Sequence, residues 1–113
     1  MTARILAYVP DLMDRSKVAA AGDVVFVSRP GDLAGLSSGA DVVVVDLTRA
    51  GAVEALAGLG GSRVIGFANH TSRDVMEAAR AAGCRHVLAR SEFFSRLDEL
   101  LGNELPGDEL PGE

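Results

Sequence analysis

The chain has 113 residues, 48% of them hydrophobic, and sets 16 acidic against 11 basic side chains for a formal charge of -5. That is the size of one ordinary domain with enough apolar material for a core, and no apolar run approaches the length of a bilayer span. Four of the acids (Glu104, Asp108, Glu109, Glu113) lie in the last ten residues, so the body is near neutral; with one tyrosine, no tryptophan and scattered arginines it lacks the basic stripe and stacking aromatics of a nucleic-acid binder.

The predicted elements alternate along the chain. "RILAYV" (4–9) is the first strand, followed by a helix over about 12–21. "DVVFVS" (23–28) is the second, followed by a short helix near 31–37, and "DVVVVD" (41–46) is the third, followed by a helix over about 50–59. "RVIGFA" (63–68) leads into a helix over about 72–82, and "HVLA" (86–89) into a last one from roughly 92 to 101. The strands are continuously apolar rather than alternating, as expected of parallel strands covered on both faces by helices. Gly22, Gly39, Gly60, Gly61, Gly83 and Gly102 fall where helices should stop, and Thr71, Ser72 or Ser91 can cap the next starts. Five β-α repeats predict a parallel sheet with right-handed crossovers in a three-layer, doubly wound α/β domain over residues 1–102.

From Gly102 the chain reads "GNELPGDELPGE", a near-repeat of E-L-P-G with several acids. Residues 103–113 are expected to form a flexible acidic tail, with a docking peptide built on Leu105 and Leu110 as the other reading. The N-terminus enters the first strand without the regions of a signal peptide, and a cytoplasmic location with no membrane association is expected. Cys84, the one cysteine, can make no internal disulfide and is expected to be a small core residue.

Doubly wound sheets place their sites at the carboxyl ends of strands, and Asp46 stands at such an end. It is either punctuation where a strand turns towards a helix or a reactive carboxylate at the mouth of a site. Other chemistries find little support. The first β-α turn, "VPDLMD", has none of the glycines that let a backbone approach a pyrophosphate, and "GLGGS" (58–62) precedes the fourth strand, at the wrong end of the sheet. His70 and Asp74 could pair at i and i+4, but His86 belongs to the opposite end of the sheet, so the ligands for a metal site are too few. A His70 base beside Asp46 would have no nucleophile or phosphate loop to work with, and no enzymatic activity is expected.

The five β-α units, "ILAYV", "DVVVVDL" and "VIGFA" as first, third and fourth strands, and "AAGCRHVLARSEFFSRLDELL" as fifth strand and final helix, resemble the CheY-like receiver domain of two-component response regulators over residues 3–101. The resemblance implies a flavodoxin-like sandwich with strand order 2-1-3-4-5 and makes Asp46 the phospho-acceptor position. Phosphoryl transfer there also uses a magnesium ion held by that Asp and an acidic pair after strand one, a Ser or Thr after strand four and a Lys after strand five. In this chain the acidic pair falls on Val9 and Pro10 with only Asp11 nearby, the hydroxyl position falls on Ala68, near Asn69, His70 and Thr71, and the Lys position on Arg90. Arg keeps the charge, but its planar fork is not a compact ammonium.

The expectation is therefore a pseudo-receiver needing no cofactor, with a pocket marked by Asp11, Ala68 and Arg90 and with Asp46 either capping the "LTRAG" loop or, as the preferred reading, paired to Arg90. Asp11 and Asp14 fit as acidic charge at the start of the first helix. Alternatively, Asp14 and Asp11 could join Asp46 as magnesium ligands in a working receiver; a third reading is a small-ligand-binding domain. The resemblance also implies a protein partner or a homodimer through the face of the fourth helix, fifth strand and last helix. That face carries Arg73, Arg80, Arg85, Arg90 and Arg96 with Phe93 and Phe94, one of the phenylalanines being expected in the core.

Overall fold

The computed structural model describes residues 3–60 and 62–101; the segment expected to be a tail, 103–113, lies outside them, as do Gly61 and Gly102. Strands β1 (Arg4–Tyr8), β2 (Asp23–Phe26), β3 (Val42–Asp46), β4 (Val64–Ala68) and β5 (His86–Ala89) form one parallel sheet in the order β2-β1-β3-β4-β5. Pairing is in simple register, Ile5 opposite Val42, Val43 opposite Val64 and Ile65 opposite His86, so the strand ends form two distinct rims. The expected strands and their order are all present, each trimmed by up to two residues except the fifth, whose bounds agree.

The run of valines in β3 is buried throughout because each face of the sheet has its own cover. Val43 and Val45 point into a core completed by Leu33, Leu56, Leu59 and Ala79. Those residues come from α2 (Leu33–Leu36), α3 (Ala52–Ala55) with the 3-10 turn that follows it over Leu56–Leu59, and α4 (Arg73–Ala81). Val42 and Val44 point the other way, into a core with Val18, Phe93, Leu100 and Leu101 from α1 (Leu12–Ala19), α5 (Arg90–Ser95) and α6 (Leu97–Leu101). Burying each such side chain contributes about 1.5–3 kcal/mol. Phe67 stacks on Phe93, ring centroids 4.7 Å apart, and fixes α5 against β4.

Two glycines have a definite steric role. A Cβ on Gly66 in β4 would lie 2.7 Å from Leu47 Cδ1, so the absence of a side chain lets Leu47 lie flat on the sheet just beyond β3. Gly83 takes φ 101° after α4, the left-handed conformation that ends a helix most readily without a Cβ.

The helices depart from expectation in three places. The second and third shrink to single α-helical turns continued by 3-10 turns, in stretches where Gly31, Gly35, Gly39, Gly58 and Gly60 lower helix propensity. The last helix begins at Arg90 rather than near 92, so Ser91 lies inside it and caps nothing; Ser72 does precede α4 but makes no side-chain capping bond. That last helix is also broken at Arg96, where Ser95 Oγ donates to Glu92 O and the Arg96 N–H is shared between the carbonyls of Glu92 and Phe93, the bifurcated bonding of a helix end.

Candidate functional site

At the carboxyl rim of β1, β3, β4 and β5 lies a shallow depression of about 390 Å³, lined by Asp11, Asp14, Asp46, Thr48, Arg49, Asn69 and Arg90. Its residues follow from the fold. Asp11 follows β1, Asp46 ends β3, Asn69 follows Ala68 at the end of β4, and Arg90 follows β5 directly. Three carboxylates and two guanidinium groups thus meet in one small volume, and the way they pair decides what the site can do.

Asp46 is 3% exposed. Its Oδ1 accepts two hydrogen bonds, 3.1 Å from the Thr48 N–H and 2.6 Å from Thr48 Oγ1, and its Oδ2 faces Arg49 Nε at 3.4 Å. A carboxylate accepting from the backbone two residues on is an Asx-turn, so Asp46 closes the loop "LTRAG", as one of the two sequence readings required. The preferred reading, an ion pair to Arg90, is not formed. The reason is competition: Asp46 is satisfied within its own loop, and Arg90 is claimed by a different carboxylate.

That carboxylate is Asp14, which is buried at 1% exposure on the inner side of α1. Arg90 donates to it through both terminal nitrogens, Nη1 to Oδ2 at 2.8 Å and Nη2 to Oδ1. The paired fork and carboxylate give a directional, charge-assisted contact that Lys could not reproduce. The hydrogen bond to Asp14 holds the Arg90 guanidinium above its ordinary pKa; burial opposes this, while the charges of Asp14, Asp46 and Asp11 add to it. Arg90 also lies 5.1 Å from the ring centre of Phe94 and 5.9 Å from that of Phe67, where the ring faces favour a cation. The pair joins α1 to the start of α5 across the rim of the sheet.

Asp11 occupies the N-cap of α1 and accepts from the Asp14 N–H at 2.9 Å, in keeping with an acidic charge at a helix start. Asp14 also stands in the first turn of α1, as expected, and is paired to Arg90 in addition. A magnesium ion fits this donor set poorly: Asp14 is doubly bonded to Arg90, both oxygens of Asp46 face donors, and Asp11 is turned to its cap. Among the described residues, no three His, Cys, Asp or Glu side chains are grouped to hold a metal ion. His70 is exposed and precedes α4, and Ala68 contributes no polar side-chain atom to the rim.

The structure thus brings Asp11, Asp46 and Arg90 to one depression together with Asp14, which the sequence placed at a site only as an alternative magnesium ligand; Ala68 is not in its lining, and Thr48 and Arg49 are additions from the structure. A signal for Thr48 existed in the spacing Asp46-Leu47-Thr48, because Asp followed two residues later by a hydroxyl is a common closed turn. On the expected partner face, Arg73, Arg80 and Arg85 are exposed. Arg96 instead pairs with Glu92 and Glu99 on its own helices, and Phe94 is half-buried, with Phe93 fully in the core.

No protein-family model matches the chain, and no curated protein matches it. Solved structures do. A response regulator from Hahella chejuensis superposes with a TM-score of 0.77 at 15% identity, over 97% of this chain and 100% of that one. The chain has a receiver-domain fold. The phosphorylated cyanobacterial phytochrome response regulator RcpA matches with a TM-score of 0.69 at 16% identity, over 94% of this chain and 93% of that one. FixJ-N matches with 0.71 at 15% identity, over 100% and 99%. At these identities the likeness is one of fold, and it agrees with the flavodoxin-like order expected from the sequence. No described helix is long and apolar enough to cross a membrane.

Proposed function

We propose that this chain is a pseudo-receiver: a non-enzymatic signalling module that works by protein contact and is independent of phosphorylation. The observation that carries the reading is the double engagement of Arg90 by buried Asp14, which draws the cation that follows β5 away from a phosphoryl group on Asp46. A second support is that Asp46 is held by Thr48 and Arg49 rather than presented to a metal ion. The receiver fold supports a signalling role, and function still has to be argued from the site rather than the fold. For the contact we favour the face of α4, β5 and α5, with Arg73 and Arg80 as exposed cations; a protein partner and a second copy of this chain are both compatible with it.

The test is an amide-resolved NMR titration with magnesium and then with beryllofluoride as a phosphoryl mimic, comparing the intact chain with Asp46→Asn. The expected result is a folded spectrum with no saturable change at Asp46, Ala68 or Arg90. Shifts at those residues that require both magnesium and Asp46 would replace this reading with a working receiver.

A further inference from the structure

A cavity of about 680 Å³ lies at the other end of the sheet, where β4 and β5 begin. Its volume is in the range of small-molecule sites. Its floor is apolar, formed by Leu56 and Leu59 of the turn after α3, Val64 of β4 and Cys84, all of them largely buried. The rim carries Arg63, Arg85 and His86, and among the described residues no acidic side chain lines the cavity. Within the same set neither Arg63 nor Arg85 forms an ion pair, whereas Arg29, Arg49, Arg90 and Arg96 all do. Arg80 likewise forms none there, and its charge is felt at Cys84 on the floor.

An apolar recess whose cationic rim forms no ion pair among the described residues discriminates by both polarity and charge. Its apolar floor favours a hydrocarbon, and a fork of guanidinium donors favours a planar anion. Ala82 and Gly83, at the carboxyl end of α4, also line it; the negative end of that helix disfavours a doubly charged group more than a singly charged one.

We propose that this cavity is a binding site for an aliphatic carboxylate, its chain against Leu56, Leu59 and Val64 and its carboxylate between Arg63 and Arg85. The site is separate from the Asp46 depression, so its success or failure leaves the pseudo-receiver reading where it stands.

The experiment is an NMR titration of the full chain with decanoate below micelle formation, with decyltrimethylammonium and inorganic phosphate as separate arms. Saturable shifts at Leu59, Val64, Cys84 and Arg85 are expected, with a Kd of about 1 mM or tighter, and much weaker responses to the cationic amphiphile and to phosphate. Affinity for decanoate should fall about tenfold in the Arg63→Gln, Arg85→Gln double variant. Both residues are exposed, and an otherwise unchanged spectrum would show that the variant is folded. The proposal is overturned if decanoate gives no saturable shifts, if the cationic amphiphile binds equally well, if phosphate alone gives the same shifts, or if the folded double variant binds as tightly as the original chain.

Discussion

At the carboxyl rim of the sheet, Asp11, Asp14, Asp46, Arg49 and Arg90 share about 390 Å³ and each has a partner within it; at the amino rim of β4 and β5, Arg63 and Arg85 border about 680 Å³ and form no ion pair among the described residues. The first is the end where doubly wound folds usually place their chemistry. Here its charges tie elements of the fold to one another: Asp14 and Arg90 join α1 to α5, and Asp46 closes the loop after β3. The lesson is that charge density alone does not mark a site. What matters is whether the charges are already satisfied, and among the described residues those of the amino rim are not.

The largest expected effect comes from breaking the Asp14–Arg90 pair, and it should depend on which partner is removed. Asp14 is buried, while the Arg90 side chain is 40% exposed. Arg90→Ala strands a carboxylate away from water, and a loss of about 3 kcal/mol is expected, at the low end for buried pairs because one partner reaches solvent. Asp14→Asn leaves a neutral amide facing a guanidinium that water can reach, and should cost about half as much or less. Urea denaturation of the two variants measures the difference. Equal losses, or losses below about 0.5 kcal/mol for both, would place the carboxyl rim in the same unpaired class as the amino rim and remove the basis of the comparison.

A smaller effect separates the rims by pH. Cys84, on the wall of the amino-rim cavity, is held above its ordinary pKa of 9.0, first by burial; backbone hydrogen bonds at His86 and Gly66 and the charge of Arg80 work the other way. Because the folded value is raised, the associated stability is fully present below about pH 9 and is lost as pH rises through the folded value. The expected loss is about 1.4 kcal/mol for each pH unit between the two values. The diagnostic quantity is the difference between the intact chain and Cys84→Ala, which cancels the contributions of every other group. Denaturation midpoints at about pH 7.5 and about pH 10 should converge as the intact chain loses its advantage. A constant gap would mean that the thiol ionises freely in the fold and that the wall of the cavity is open to water.

The carboxyl rim was legible in outline and obscure in its pairing. β3 could be recognised because a run of β-branched residues has few alternatives to a buried strand, and Asp46 had to surface where the run stopped. Arg90 could be placed because it follows β5 without a loop. Asp14 was harder, since an acid in a first helical turn ordinarily complements the dipole, and its partner is 76 residues away. A clue lay in spacing: Asp14 and Val18 stand at i and i+4, so if Val18 faces the core Asp14 does too. It was masked by Leu12 and Met13, whose hydrophobicity suggests the opposite face although both are more than 70% exposed. The amino-rim cavity left no comparable trace, because its wall is assembled from a turn, a strand start and a helix end that no single periodicity links.

The smallest effect sharpens the comparison by being near zero. Arg63 and Arg85 are exposed and without ion-pair partners among the described residues, so replacing both with Gln removes no interaction that holds the fold together. Stability should change by no more than about 0.5 kcal/mol in low salt, where surface charge matters most. If anything it should rise, because the two cations lie on adjacent strand starts and Arg80 is close to the same wall. Urea denaturation at low and at moderate salt tests this directly. A loss above about 1 kcal/mol that salt abolishes would mean that the arginines neutralise acidic groups in the whole chain, and the charges of the amino rim would then serve the fold as much as those of the carboxyl rim do.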